Sequence, residues 1–239
     1  SDRNNQLQYV HQTSWGLSTR SIGAIIMVHG DDSGLILPPR IAPVQVAVIP
    51  IAAHKPGVLD KAGEIARQLS VKYRVKIDTT DKMPGWKFSE YEMKGVPLRL
   101  EIGPRDLEKN QVMVVRRDTR AKIPVPLDRV ETAIPALLAE IRDSLYEKAL
   151  AMRDSRIYPA ADMAELEALF AEKPGFVRAA WCGSRECEDR IKEKTGATAR
   201  CMPFDSSGGA ADGAAPEMET AKDARCVSCG APASRLVIW

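Results

Sequence analysis

The sequence predicts an α/β domain with a mostly parallel core, followed by a smaller cysteine-bearing unit. Three observations carry this. Val44–Ile51 is a continuous, largely β-branched run, the mark of a strand buried on both faces. Strand-like and helix-like segments alternate from Val44 to Arg156. Near Tyr158 the pattern changes, and two cysteine pairs follow.

The N-terminal segment comes first. Gln8–Val10 reads as a strand and Ile22–Val28 as a helix, with Ile22, Ile25, Ile26 and His29 at helical spacing and Ser21 as a cap. So short a run also allows a strand. HGDDSG is a turn cluster, and LPPR is extended because each proline fixes its own φ and restricts the residue before it.

Beyond the Pro56–Gly57 breaker, Val58, Ala62, Ile65, Ala66 and Leu69 repeat as one helix face. Tyr73, Val75 and Ile77 alternate as a strand. DKMPGWKFSEYEMKG holds a turn and one or two helical turns. Pro97–Ile102 and Val112–Arg116 read as strands around a GPRDLEKN turn, and PVPLDRV as a proline-rich entry to a helix. Leu137, Leu138, Ile141 and Leu145 form that helix's apolar stripe. Met163, Leu166, Leu169 and Phe170 form a short amphipathic helix, and the Gly/Ala-rich tract Asp205–Thr220 reads as a mobile loop.

Length and composition set the class. The 239 residues suit one or two domains, and 44% apolar with 28% charged residues is a soluble globular balance. No apolar run approaches the roughly 20 residues that span a bilayer, and no signal-peptide pattern opens the chain. The first residue is Ser, which fits a tag scar or an excised fragment, and a cytoplasmic, reducing setting is expected. Charge is uneven: Val71–Arg129 holds 14 Lys/Arg against 9 Asp/Glu, whereas Pro159–Trp239 holds 10 against 13. A polyanion would therefore meet the middle of the chain. A plainly solvated surface gives the same counts.

Four residues separate Cys182 from Cys187 and two separate Cys226 from Cys229, with 38 residues between the pairs. Glycines follow Cys182 and Cys229 and let backbone N–H groups turn toward a sulfur. Four thiolates in two pairs can close a tetrahedral, structural zinc shell. Two disulfides and unbound buried thiols are the alternatives. Cys201 reads as a small core residue.

Two further clusters carry chemistry. Gly16, Ser18, Thr19 and Arg20 form a turn whose hydroxyls and guanidinium suit a phosphate, or a surface salt bridge. Arg105, Lys109, Arg116 and Arg117 lie near strand ends, and PGWKF sets an aromatic beside a lysine, a combination that grips unstacked bases. Trp86 and Phe88 equally suit a core. His11, His29 and His54 have no ligand or triad spacing, and no Ser–His–Asp or paired-carboxylate arrangement stands out.

Together these stretches resemble a known family. HQTSWGLSTRSIGAIIMVHGDDSGLILPPRIAPVQ is similar to the end of the catalytic domain of prolyl-tRNA synthetases of the archaeal/eukaryotic-like type, which are class II enzymes. PGWKFSEYEMKGVPLRLEIGPRDLEKNQVMVVRRD resembles their anticodon-binding domain, and WCGSRECEDRIKE with CVSCG resembles their zinc-binding C-terminal domain. The resemblance implies a class II catalytic remnant over 1–42, a class IIa anticodon-binding domain (mixed sheet, flanking helices) over 43–157, and a small α+β zinc domain over 158–239.

It also implies roles. Arg20 of the third signature motif and Ser18 would contact ATP, which enters the full enzyme with Mg. Ser14, Trp15 and Gly16 would lie by the proline pocket. Glu101 and Arg105 would read guanines of the tRNA(Pro) anticodon, and Cys182, Cys187, Cys226 and Cys229 would hold zinc. The parent would be a homodimeric proline–tRNA ligase without membrane attachment, joining L-proline to tRNA. Motifs 1 and 2 are absent, so this chain alone is expected not to activate proline. It would then act as a stand-alone tRNA-binding and zinc module. A third reading, a zinc-stabilised protein scaffold, leaves GLSTR and GPRD unexplained. The family's usual C-terminal tyrosine is Trp239 here.

Overall fold

The computed structural model describes residues 3–7, 13–204, 223–233 and 235–239. The strand expected at Gln8–Val10, His11 and the loop expected at Asp205–Thr220 lie outside these residues. The chain divides into two compact units, Ser1–Ala149 and Leu150–Trp239. Among the described residues, no helix is long and apolar enough to cross a membrane.

In the first unit, helix α1 (Arg20–His29) confirms the helical spacing of the first apolar run. Ser21 is not its cap. The helix begins two residues earlier than expected, Thr19 takes the cap position, and the Ser21 hydroxyl donates to the Ser18 carbonyl within the first turn. His29 is half-buried. Burial, and then the charge of Lys148, hold its imidazole below the usual value.

The sheet has the order β2-β1-β3-β4-β5, from β1 (Val46–Pro50), β2 (Val75–Ile77), β3 (Leu98–Ile102), β4 (Gln111–Arg116) and β5 (Lys122–Pro126). β2, β1 and β3 run parallel, while β4 and β5 continue antiparallel. The sheet is therefore mixed, not mostly parallel. β5 corrects the reading of PVPLDRV as only a helix entry. Pro124 and Pro126 sit in an edge strand, where a missing N–H costs no ladder bond, and a 3-10 turn at Leu127–Arg129 then leads into the helix.

Burial explains the strand assignments. All five β1 residues and all five of β3 are buried, as a two-face strand requires. One face (Val46, Val48, Leu98, Leu100, Val112, Val114) packs beneath α2 (Val58–Ser70) and α5 (Val130–Asp154). These helices contribute the predicted stripes Ala62, Ile65, Ala66 and Leu69, and Leu137, Leu138, Ile141 and Leu145. The last residues of α5, from Leu150, fall in the second unit. On the opposite face, Ala47 and Ile49 meet Tyr91, Val96 and Phe88, the aromatics coming from α3 (Pro84–Met93).

The stretch before β1 is pinned to this domain. LPPR is extended only to Pro38: residues 39–41 form a turn in which the Ile41 and Ala42 N–H groups donate to the Pro38 carbonyl, and Arg74 holds it by donating to the carbonyls of Ala42, Pro39 and Arg40. Arg117, itself buried, donates through both terminal nitrogens to Asp31, at 2.9 and 2.6 Å, and through Nε to the Glu92 carbonyl. The Arg117 hydrogen bond holds the Asp31 carboxyl well below the usual range.

The second unit is a three-stranded sheet, order β6-β7-β8, from β6 (Ile157–Ala160), β7 (Phe176–Trp181) and β8 (Arg235–Ile238). β6 and β7 are parallel and β7 and β8 antiparallel. Helices α6 (Met163–Glu172) and α7 (Arg185–Thr195) bury Leu166 and Ile191 against Val177, Ala179 and Val237. Asp162 caps α6 by accepting from the Glu165 N–H. Trp239 is only 2% exposed and packs edge-on to Trp181, ring centroids 6.4 Å apart. Cys201 is exposed, contrary to the expected core position, because its backbone bridges to Ile238 along β8, the edge strand of the sheet.

Candidate functional site

Two constellations stand out. The first lies at the carboxyl edge of the three parallel strands, the side where α/β sheets place ligand loops. Three connections gather there: residues 51–57 after β1, 78–83 after β2, and Gly103 with α4 (Pro104–Glu108) after β3. GPRDLEKN is thus a short helix and not a bare turn. Pro104 suits the first helical position, and Asp106 accepts from the Gly103 N–H at 3.0 Å.

Arg105 and Lys109 are exposed and have no ion-pair partner among the described residues. Arg116 and Arg117 do not join them. Arg116 is committed to Asp118 and Glu140, and Arg117 to Asp31. Glu101 is buried in β3 and accepts from Arg99 Nε at 2.8 Å. Arg99 also donates to Glu92 at 2.9 Å and lies over the Phe88 ring at 4.3 Å. Glu101 therefore belongs to a buried charged chain on the α3 face of the sheet. Sequence reading missed Arg99 and Glu92. The alternation of β3 was the available signal, since it puts Arg99 and Glu101 on one face.

PGWKF resolves differently from its wording. Lys87 points inward and pairs with Asp78, 3.4 Å away, while donating to the Asp78 carbonyl at 3.0 Å. The cation on Trp86 is Lys82 instead, its Nζ 3.1 Å from the ring centroid. Burial, followed by the charge of Asp78, pushes the Tyr91 hydroxyl up to about 12.

The second constellation is the cysteine cluster. Cys182 follows β7, Cys187 sits in the first turn of α7, and Cys226 and Cys229 lie on the turn before β8. All four sulfurs lie within 4.8 Å of one another, with Cys182 3.7 Å from Cys187 and 3.9 Å from Cys229. A tetrahedral zinc–thiolate shell, with bonds of about 2.3 Å, sets its sulfurs about 3.8 Å apart. A disulfide would need about 2 Å, and the thiols are free. The cluster can hold a metal ion.

Its surroundings treat the sulfurs unequally. Gly183 and Gly230 adopt φ of +91° and +71°, the left-handed turns that follow each pair's ligand. Burial pushes the Cys187 thiol up to about 12, with Cys229 and Cys182 adding to it. Burial also raises Cys226, but backbone N–H groups of Cys229, Cys182 and Ser228 outweigh it and bring that thiol to about 7. Arg225 donates to the Gly230 carbonyl at 3.0 Å and steadies the ligand turn.

The remaining predicted residues form no enclosed site. Ser14, Trp15, Gly16, Ser18 and Arg20 are all exposed, Trp15 by 94%. Among the described residues, these residues are linked by the Arg20 N–H donating to the Ser18 hydroxyl at 3.4 Å.

Comparison with known proteins joins the two constellations. Residues 45–137 match the anticodon binding domain family, and residues 163–239 match the prolyl-tRNA synthetase C-terminal family. Proline–tRNA ligases of Ruminiclostridium cellulolyticum and Clostridium novyi are 59% and 56% identical over 238 residues each, and one of Clostridium botulinum is 54% identical over 239. Over its whole length the chain is homologous to a part of these proline–tRNA ligases. Each match covers 100% of this chain and 47% of the relative, so the chain spans about half the length of those ligases. In family terms, the basic edge lies within the anticodon-binding match and all four clustered cysteines within the C-terminal match.

Proposed function

We propose that this chain is the anticodon-reading and metal-stabilised part of a proline–tRNA ligase, the enzyme that joins L-proline to tRNA(Pro) with ATP. The observation that carries this is the basic carboxyl edge within the anticodon-binding match. Arg105 and Lys109 stand exposed and uncommitted there. Arg105 supplies a fork of donors that suits a guanine edge, and Lys109 supplies charge for the phosphates. Glu101 acts from beneath, holding Arg99 in the strand. Zinc is the metal that the four cysteines hold, and with all positions taken by sulfur its role is structural.

Arg20 and Ser18 contribute the ATP contact of the parent, with Ser14, Trp15 and Gly16 beside its proline pocket. The parent works as a cytoplasmic dimer. A second reading, a tRNA-binding module without chemistry of its own, is favoured for the isolated chain by the exposure of residues 14–20, which make only local contacts among the described residues. Proline-dependent ATP–pyrophosphate exchange separates the two. The isolated chain is expected to show none, and robust exchange from it would sink the second reading.

The anticodon assignment is tested by Arg105→Ala. Binding of proline tRNA is expected to weaken roughly tenfold, from about 1–3 kcal/mol per base-reading contact, with an anticodon-swapped tRNA little affected. An equal loss for both would reduce Arg105 to a phosphate contact.

A further inference from the structure

Trp86 is 45% exposed, although Phe88 and Tyr91 of the same helix pack into the domain. Its place is fixed from below. Lys87 is buried against Asp78, and the Asp78 carboxylate accepts from both the N–H and the hydroxyl of Thr80, at 3.0 and 2.6 Å. Residues 78–80 and the first turn of α3 are therefore tied together. The Trp86 and Lys87 N–H groups both donate to the Met83 carbonyl, which closes that turn. A buried ion pair is an expensive way to hold an exposed indole.

The position matters as much as the exposure. The start of α3 stands at the carboxyl end of β2. Arg105 and Lys109 stand at the carboxyl end of β3, two strand spacings away, or about 10 Å. Lys55, exposed on the loop after β1, lies between them. A single strand that meets Arg105 and runs along this edge passes Lys55 and arrives at Trp86.

We propose that Trp86 and Lys82 form a stacking platform for an unpaired nucleotide of the bound RNA, next to the bases that Arg105 discriminates. The proposal rests on the reading of the chain as tRNA-binding. Every base has a π-face, so an indole accepts any of them, and the contact adds affinity without reading sequence. Lys82 sits over the indole in the free chain. A bound nucleotide offers that ammonium a phosphate in exchange for the ring, so the base and its backbone are both accommodated.

The test uses this chain with two RNA probes, the anticodon stem-loop of proline tRNA and the same stem-loop with its anticodon swapped. Trp86→Ala is expected to weaken both by the same factor, roughly tenfold, leaving their ratio unchanged. Trp86→Phe is expected to restore most of the affinity. Wild-type tryptophan emission is expected to be quenched by RNA, and Trp86→Phe to lose that quench. Unchanged urea midpoints show that the Asp78–Lys87 support survives. Wild-type affinity in both variants overturns the platform, and so does a changed ratio between the probes. Failure of the wild-type chain to bind either RNA overturns the tRNA-binding reading as well, which separates the two claims.

Discussion

Removing the metal with a chelator is expected to unfold the second unit while the first stays folded. The unit's apolar core is small, with Leu166, Ile191, Val177, Val237 and Trp239 as its larger members. The ligand turn is joined to the sheet by few bonds, chiefly the Val227 N–H to the Ala180 carbonyl. Small zinc domains draw about 10 kcal/mol or more of apparent free energy from the ion, as much as a whole domain's ordinary stability of about 5–15 kcal/mol. Cys187→Ser is expected to act like the chelator, since its sulfur is buried in the cluster. Near-ultraviolet circular dichroism is the readout, because the edge-on Trp181–Trp239 pair exists only in the folded unit. An unchanged spectrum and unchanged melting in chelator, with all five thiols titratable before chelation, would refute a structural metal.

Lys87→Met is expected to cost the first unit about 3–5 kcal/mol, because it leaves the Asp78 carboxylate buried without its cation. Replacing both partners, as in Asp78→Asn with Lys87→Met, is expected to recover much of that loss, since a buried pair is costly to break but not to replace. Burial raises the Asp78 carboxyl, yet the two Thr80 hydrogen bonds and the Lys87 charge more than reverse this, so it lies below the ordinary carboxylate value. The linked stabilisation is therefore complete above the ordinary value of about 4 and is lost as pH falls through the lower, folded one. Urea unfolding across acid pH measures it. In Lys87→Met the acid-dependent part is expected to shrink, and an unchanged midpoint at neutral pH would contradict the assignment.

Much of this architecture was legible in particular residues. Val44–Ile51 announced β1, and the spacing of Ala62, Ile65, Ala66 and Leu69 announced α2, because both burial patterns are local consequences of chain geometry. β5 was not legible, since prolines depress any strand reading and only the neighbouring β4 makes an edge position visible. The cysteine cluster was legible from spacing, while the choice between thiols, disulfides and metal needed the sulfur distances.

The basic site was half legible. Arg116 and Arg117 look like Arg105 in sequence, and only long-range partners remove them. Asp31 is 86 residues from Arg117 along the chain. Trp86 and Lys87 are adjacent in sequence but about 100° apart around a helix, so one faces out and the other in. The lysine that reaches the indole is four residues earlier, at Lys82. Reading neighbours in the chain as neighbours in space was the error.

The central claim is that the carboxyl edge of the parallel strands reads the proline anticodon. The most direct measurement is the affinity of this chain for proline tRNA beside the same tRNA with its anticodon replaced, at one fixed salt concentration. Tighter binding of the proline anticodon, lost in Arg105→Ala, is the predicted result. Equal affinity for the two tRNAs would contradict it.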